Sequence, residues 1–340
     1  MRKAYFHIGF GKTGSSSLQA FLSCNPVHDS VKTGEKLLYC AFQKNGKILY
    51  GNELVENARK TPLKYCSSFP EVTELADLAV VKHELDNIYE QGYTPIFSQE
   101  DWGRRAGYFK NADFFSRLDC DIHAVVYVRP QVDWFNSAWW QWYAWHEKFS
   151  VPRDVIGAWG FNFMLWGNQI ATWKRLARVQ EVTVRLHPAD IVLDFMELIG
   201  IQPSKDHVVP PKNNISLSPT LVKLLKRYPA LRQTHSADVD SILSNFIKFE
   251  GKTPWFLEPV LVNQILENTK EDNLRLQTML DAPSKVAMEQ DQRWWDVKYY
   301  ENRKVWSEDE FKLTENELFL IVEQVIPALL KLGREVPHAY

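Results

Sequence analysis

The residues with the clearest chemical potential lie near the start of the chain, in Gly9-Phe10-Gly11-Lys12-Thr13-Gly14-Ser15-Ser16-Ser17. Glycines let the backbone approach a ligand, Lys12 supplies a full positive charge, and a threonine with three serines supplies hydroxyl donors. Between a strand and a helix, such a loop holds an anion. The first N–H groups of the helix point outward without partners, and its dipole adds about half a positive charge at that end. A second constellation follows Val125-Val126-Tyr127-Val128, where Arg129-Pro130 ends the apolar run and Ser137 comes eight residues after the arginine. The arginine would stand at a strand tip and the serine about two helical turns along. A planar guanidinium fork and a hydroxyl could then grip one further anionic group.

Both grips need a scaffold. Ala4-Tyr5-Phe6-His7-Ile8 has the apolar character of a strand, and Leu18 to Leu22 has apolar residues at helical spacing. Ile122 to Val128 is almost wholly apolar, as expected of a strand buried on both faces, and Pro130 suits a helix start. Thr94 to Ser98 and Val182 to Leu186 predict two more strands, with helices expected at 70–91, 111–118, 131–147, 161–177 and 189–200. Residues 24–70 are irregular, with short strands possible at 37–40 and 47–50, and suggest an insertion. The alternation of β and α through residue 200 predicts an α/β fold with a central parallel sheet covered on both faces. Ligands bind such sheets at the carboxyl ends of the strands, so loops 9–17, 98–105 and 128–137 can meet at one cleft. From 215 the pattern is helical only (218–228, 238–249, 258–280, 315–333). The expected division is a core of residues 1–214 and a helical extension of residues 215–340, packed on it as one domain.

Gly11-Lys12-Thr13 fits the end of a Walker A loop, but the first glycine of that motif would fall on Phe6. The segment instead resembles the 5′-phosphosulfate loop of sulfotransferases that use 3′-phosphoadenosine-5′-phosphosulfate (PAPS). Gly11 stands where that family usually has proline, a change expected to loosen the turn. Arg129 and Ser137 likewise resemble the family's 3′-phosphate motif. The resemblance spans roughly the first two hundred residues and implies a P-loop-like three-layer core. It also implies that Gly11, Lys12, Thr13, Gly14, Ser15, Ser16 and Ser17 hold the 5′ end of PAPS, and that Arg129 and Ser137 hold its 3′-phosphate. Lys12 would stabilise the leaving phosphate. Ser98-Gln99-Glu100-Asp101 is similar to the Ser-Ser-Glu-type turn of carbohydrate-modifying members, which implies Glu100 as the base, with Asp101 in reserve. Lys212-Asn213-Asn214 is a weaker echo of a late loop that closes over the nucleotide.

The expected reaction is transfer of a sulfuryl group to a hydroxyl, most simply on a carbohydrate or glycoconjugate. Arg104, Arg105, Trp102, Trp140 and His146 are the candidates for the acceptor side. Flat aromatic faces suit sugar rings, and the arginines suit an acidic acceptor. A sulfuryl group carries less charge than a phosphoryl group, so no metal is demanded. Two other readings remain open: an ATP-dependent kinase, and a non-catalytic protein that binds 3′-phosphoadenosine-5′-phosphate (PAP) or a sulfated glycan. A net charge of −2 argues against a general nucleic-acid binder. Four scattered cysteines and the lack of any long apolar stretch fit a cytoplasmic protein without a membrane span.

Overall fold

The structure is a computed structural model and describes residues 2–72, 78–210, 217–232, 239–240, 243 and 251–335. It holds two compact units. The first comprises Met1–Trp134, Phe161–Asn214 and Gln264–Asp296, and the second Phe135–Gly160, Ile215–Asn263 and Val297–Tyr340. The chain is therefore not divided by a single cut after residue 214. Residues 264–296 return to the first unit, and residues 135–160 join the second.

The first unit is built on a seven-stranded, mostly parallel sheet. Its strands are β1 (Lys3–Ile8), β2 (Val27–Asp29), β3 (Lys36–Phe42), β4 (Ile48–Tyr50), β5 (Tyr93–Gln99), β6 (Asp121–Val128) and β7 (Val179–Leu186). Their order is β2-β3-β5-β1-β6-β7, with β4 on β3. Only β2 and β4 run antiparallel to their neighbour. β1 registers with β5 through His7 and Ser98, and with β6 through His7 and Val125. From β1 the chain leads to one side of the sheet, towards β3. From β6 it leads to the other, towards β7. The carboxyl ends of β1 and β6 thus flank a topological switch point, where the diverging connections leave a crevice for ligands.

Side-chain alternation along the strands builds two different layers. Tyr5, Tyr39, Ile96, Val125 and Tyr127 pack under the helices α1 (Ser15–Cys24), α2 (Gly51–Lys60) and, from later in the chain, Ile191–Ile199. The opposite layer is aromatic. Phe6 lies against Phe97 and Trp102 at ring separations of 5.1 and 5.2 Å, and Phe109 against Trp173 at 4.7 Å. Two of the chain's thirteen tryptophans, Trp102 and Trp173, pack here.

Several expectations change. The supposed insertion contributes β3, a parallel strand hydrogen-bonded to β5, and the helix Gly51–Lys60. The helix expected at 111–118 is two short ones, Ala106–Asn111 and Phe114–Leu118, and Ala282–Gln290 is a helix in a stretch to which none was assigned. The helix expected at 131–147 is α-helical over Gln131–Ala138 and then π-helical over Trp139–Tyr143. Most of the helix expected at 238–249, and the echo at Lys212 and Asn214, lie outside the described residues.

In the second unit the tryptophan run is structural. Trp140 is 1% exposed and donates its indole N–H to the Pro254 carbonyl (2.8 Å), and Trp139 stacks on Phe256. The Asn136 amide brackets the same segment, donating to Pro254 and accepting from the Phe256 amide. Among the described residues no helix is long and apolar enough to cross a membrane.

Candidate functional site

Residues 9–14 leave β1 and enter α1 through an unusual backbone path. Gly11, Lys12 and Gly14 all have positive φ, at 67°, 50° and 87°. Proline, with φ fixed near −65°, could not occupy the Gly11 position, so this turn runs differently from one built on proline. A lysine in the left-handed region costs about 1–3 kcal/mol and persists only where its surroundings enforce it. They do so through the carbonyls. Gly103 N–H donates to Gly9 O (2.9 Å), and the Trp134 indole donates to Phe10 O and Gly11 O (3.3 and 3.1 Å). Arg129 Nη1 donates to Lys12 O at 3.0 Å. Four successive carbonyls are thereby engaged by protein donors. A loop whose carbonyls are turned towards the protein presents its amides elsewhere, and these are the groups that bind an anion.

The hydroxyls are in a telling state. Thr13 and Ser15 are buried, at 0% and 1% exposure, and Thr13 Oγ1 and Ser15 Oγ have no hydrogen-bond partner. Each such group costs about 1–3 kcal/mol unless an acceptor is supplied. A phosphate or sulfate group, with several acceptor oxygens, would supply one. α1 also begins without a side-chain cap, since its N-cap is Gly14. Ser16 Oγ, in contrast, receives the Tyr65 hydroxyl at 3.3 Å, and Ser17 follows in the first turn, with its amide bonded to Gly14 O.

Gly9 has a second role that its place in the loop motif does not reveal: it joins two loops. A β-carbon there would lie 2.5 Å from Ser15 Oγ and 2.8 Å from Glu100 Cα. Gly103 is equally confined by the Phe10 ring. These two close approaches bring the turn after β5 against the anion loop. Trp102, buried in the aromatic layer, anchors that turn: Trp173 Nε1 donates to its carbonyl and to that of Gly103, at 3.0 and 3.2 Å. Glu100 therefore sits within electrostatic reach of Lys12. Removal from water pushes the Glu100 carboxyl above the usual range, the Asp101 charge adds to this, and Lys12 and Arg104 oppose it. Asp101 is already engaged. Arg104 Nη2 and Arg105 Nε hold its two oxygens at 2.6 Å each, and Arg105 also pairs with Glu71 at 2.7 Å.

The acceptor candidates are placed differently from expectation. Trp102 is wholly buried, with its indole N–H on Pro70 O, so it has no ring face for a sugar; Trp140 is core in the second unit. The Arg104 and Arg105 charges are largely offset by Asp101 and Glu71. His146, also of the second unit, accepts the Lys148 amide at Nδ1. Ser137 is half-buried on the last turn of its helix, beyond the residue at which the first unit ends.

Beneath the loop, Gln19 Nε2 donates to Ser98 Oγ (3.1 Å), and His7 Nδ1 shares a hydrogen bond with the same hydroxyl (2.8 Å). Burial lowers the His7 pKa to about 3, which keeps the ring a neutral structural link between β1, β5 and α1. Two residues missed from sequence adjoin the site: His187, after β7, and Arg293, from the segment that returns late in the chain. The charges of Arg129 and Arg293 both act on the His187 ring. No local pattern marks them, because only the parallel pairing of β6 with β7 places residue 187 beside residue 129.

No family model matches the sequence, and no curated protein is significantly similar to it. A sulfotransferase from Alicyclobacillus acidocaldarius has a similar solved structure. It is 15% identical, with 84% of this chain and 99% of that one covered, at a TM-score of 0.44. The α/β architecture of this chain rests on its own strand order.

Proposed function

We propose that this chain is a sulfotransferase that moves a sulfuryl group from PAPS to an acceptor hydroxyl, with a carbohydrate as the acceptor class. One observation carries the reading: the Arg129 guanidinium, from the tip of β6, reaches the Lys12 carbonyl of a loop that buries two unpartnered hydroxyls. Arg129, one of the two residues of the second grip, is thus one hydrogen bond from the loop, at the switch point of the sheet. Phe6, where a Walker loop would have glycine, instead has its ring in the aromatic layer.

PAPS would supply an activated sulfuryl group on a phosphate leaving group. In the reading proposed, the Thr13 and Ser15 hydroxyls and the amides of residues 12–16 hold the 5′ end. Arg129 and Ser137 hold the 3′-phosphate, and the Lys12 ammonium offsets charge growing on the leaving oxygen. The acceptor oxygen bonds to sulfur as the bond from sulfur to the phosphate oxygen breaks, and the acceptor proton passes to Glu100. Burial raises the Glu100 pKa, the direction that favours a base working near neutrality, and the Lys12 charge opposes the rise.

Thermal-shift titration separates this reading from its rivals. PAP at a hundredfold excess over its Kd should stabilise the fold by about 2.7 kcal/mol, a rise of several degrees in Tm. ATP with Mg²⁺ should give much less. A larger shift with ATP and Mg²⁺ would favour a kinase. A PAP shift with no turnover on any hydroxyl acceptor would favour a binding protein. Glu100→Gln, which keeps the turn but removes the base, should lower kcat by roughly 10²–10⁴-fold with PAP affinity little changed. Full activity in that variant would remove Glu100 from the reaction.

A further inference from the structure

We propose that His187 is a proton-coupled member of the anion site: phosphate binding at the loop of residues 9–14 is accompanied by proton uptake on the His187 imidazole. The proposal rests on the nucleotide-binding reading above. His187 is the first residue after β7, and its amide donates to Val128 O at 2.7 Å, fixing it beside Arg129 at the carboxyl edge of the sheet. Its ring borders the loop directly. A β-carbon on Gly14 would lie 3.4 Å from His187 Nε2 and 3.1 Å from Ile191 Cγ2, and Gly14 is the N-cap residue of α1. An anion received by the first amides of α1, and by the partnerless hydroxyls of Thr13 and Ser15, would therefore lie within a short reach of this nitrogen.

The surrounding charges set the sign. Loss of water around the ring, and then the positive charges of Arg129 and Arg293, lower the pKa of His187 to about 4, although the residue as a whole is exposed. The nearby carboxylates are committed elsewhere. Asp190, at the head of the following helix, accepts the amides of Val192 and Leu193. Asp291 pairs with Arg293 at 2.7 Å, and Asp133 lies 3.9 Å from the same guanidinium. Without a ligand, His187 is neutral at pH 6. A dianionic phosphate within about 4–6 Å reverses the local sign and favours imidazolium. A group whose pKa is higher in the complex than in the free protein strengthens binding as pH falls, up to tenfold per pH unit between the two values. Donor affinity is thus predicted to rise from pH 7 towards pH 5.

The experiment is calorimetric titration of the full chain with PAP at pH 6, in two buffers of different ionisation enthalpy, for the wild type and His187→Gln. The His187 ring titration, followed alongside, assigns the difference to the histidine rather than to the phosphates of PAP. Wild type should take up at least half a proton more than the variant, and its affinity should fall more steeply from pH 5.5 to 7. The His187 ring signal in NMR spectra should titrate near 4 in the free protein and above about 6 with PAP bound. Equal proton uptake in the two proteins, with PAP binding to both and the ring titration unmoved, would overturn the proposal and leave the nucleotide-binding reading intact. Failure of PAP to bind the wild type would overturn both.

Discussion

Lys12→Ala is expected to lower kcat by roughly 10²–10³-fold, about 3–4 kcal/mol of lost stabilisation, while PAP binding largely survives. The lysine stands in the left-handed region of backbone space, with its carbonyl bonded to Arg129. Loss of activity could therefore arise from the missing charge or from a relaxed loop. Lys12→Gly separates the two. Glycine adopts positive φ without strain, so the two variants should be equally slow if the charge is what matters. Glycine should be clearly better if backbone strain is the cause. A second readout comes from Glu100. Lys12 opposes the rise in the Glu100 pKa, so removing it lets that pKa climb further. The kcat–pH profile, which rises as Glu100 loses its proton, should move its acid limb to higher pH in Lys12→Ala. Undiminished turnover, or an unshifted limb, would contradict the assigned roles.

How far such a site can be seen in the sequence depends on how local its determinants are. The strand, loop and helix around Lys12 were legible because glycine, lysine and hydroxyl residues lie within nine positions and each has a backbone or charge reason to be there. Arg129 was legible as the end of an apolar strand. The partners that shape the loop were not. Trp134 has no local pattern to mark it, yet its indole N–H holds two loop carbonyls. Gly9 looked like any turn glycine, although its missing side chain is what admits Glu100 to the site. Both roles depend on contacts across ninety residues or more, which no periodicity reports. β3 escaped as a core strand for a related reason. Its neighbours in the sheet, β2 and β5, are set by pairing, and its own apolar run could as well have been a surface hairpin. The aromatic residues misled in the other direction. A flat ring suits a sugar and a protein interior equally, and for Trp102 and Trp140 the interior prevailed.

Arg129→Ala should weaken PAP by about 2–5 kcal/mol, roughly 30- to 5,000-fold in Kd. Two effects lie within that figure: the proposed grip on the 3′-phosphate and the observed bond to Lys12 O. A donor without the 3′-phosphate, adenosine 5′-phosphosulfate, divides them. If Arg129 grips the 3′-phosphate, the wild type should lose much of its affinity on going from PAPS to the shorter donor, and Arg129→Ala should lose little more. The two losses then fail to add, as expected of changes that remove the same contact. If the arginine only holds the Lys12 carbonyl, the variant should be impaired by the same factor with either donor, and kcat should fall along with affinity. Arg129→Lys, which keeps the charge but not the planar fork, should sit between wild type and alanine for PAPS. Additive losses would confine Arg129 to positioning the loop, and the 3′-phosphate would have to be held by other residues.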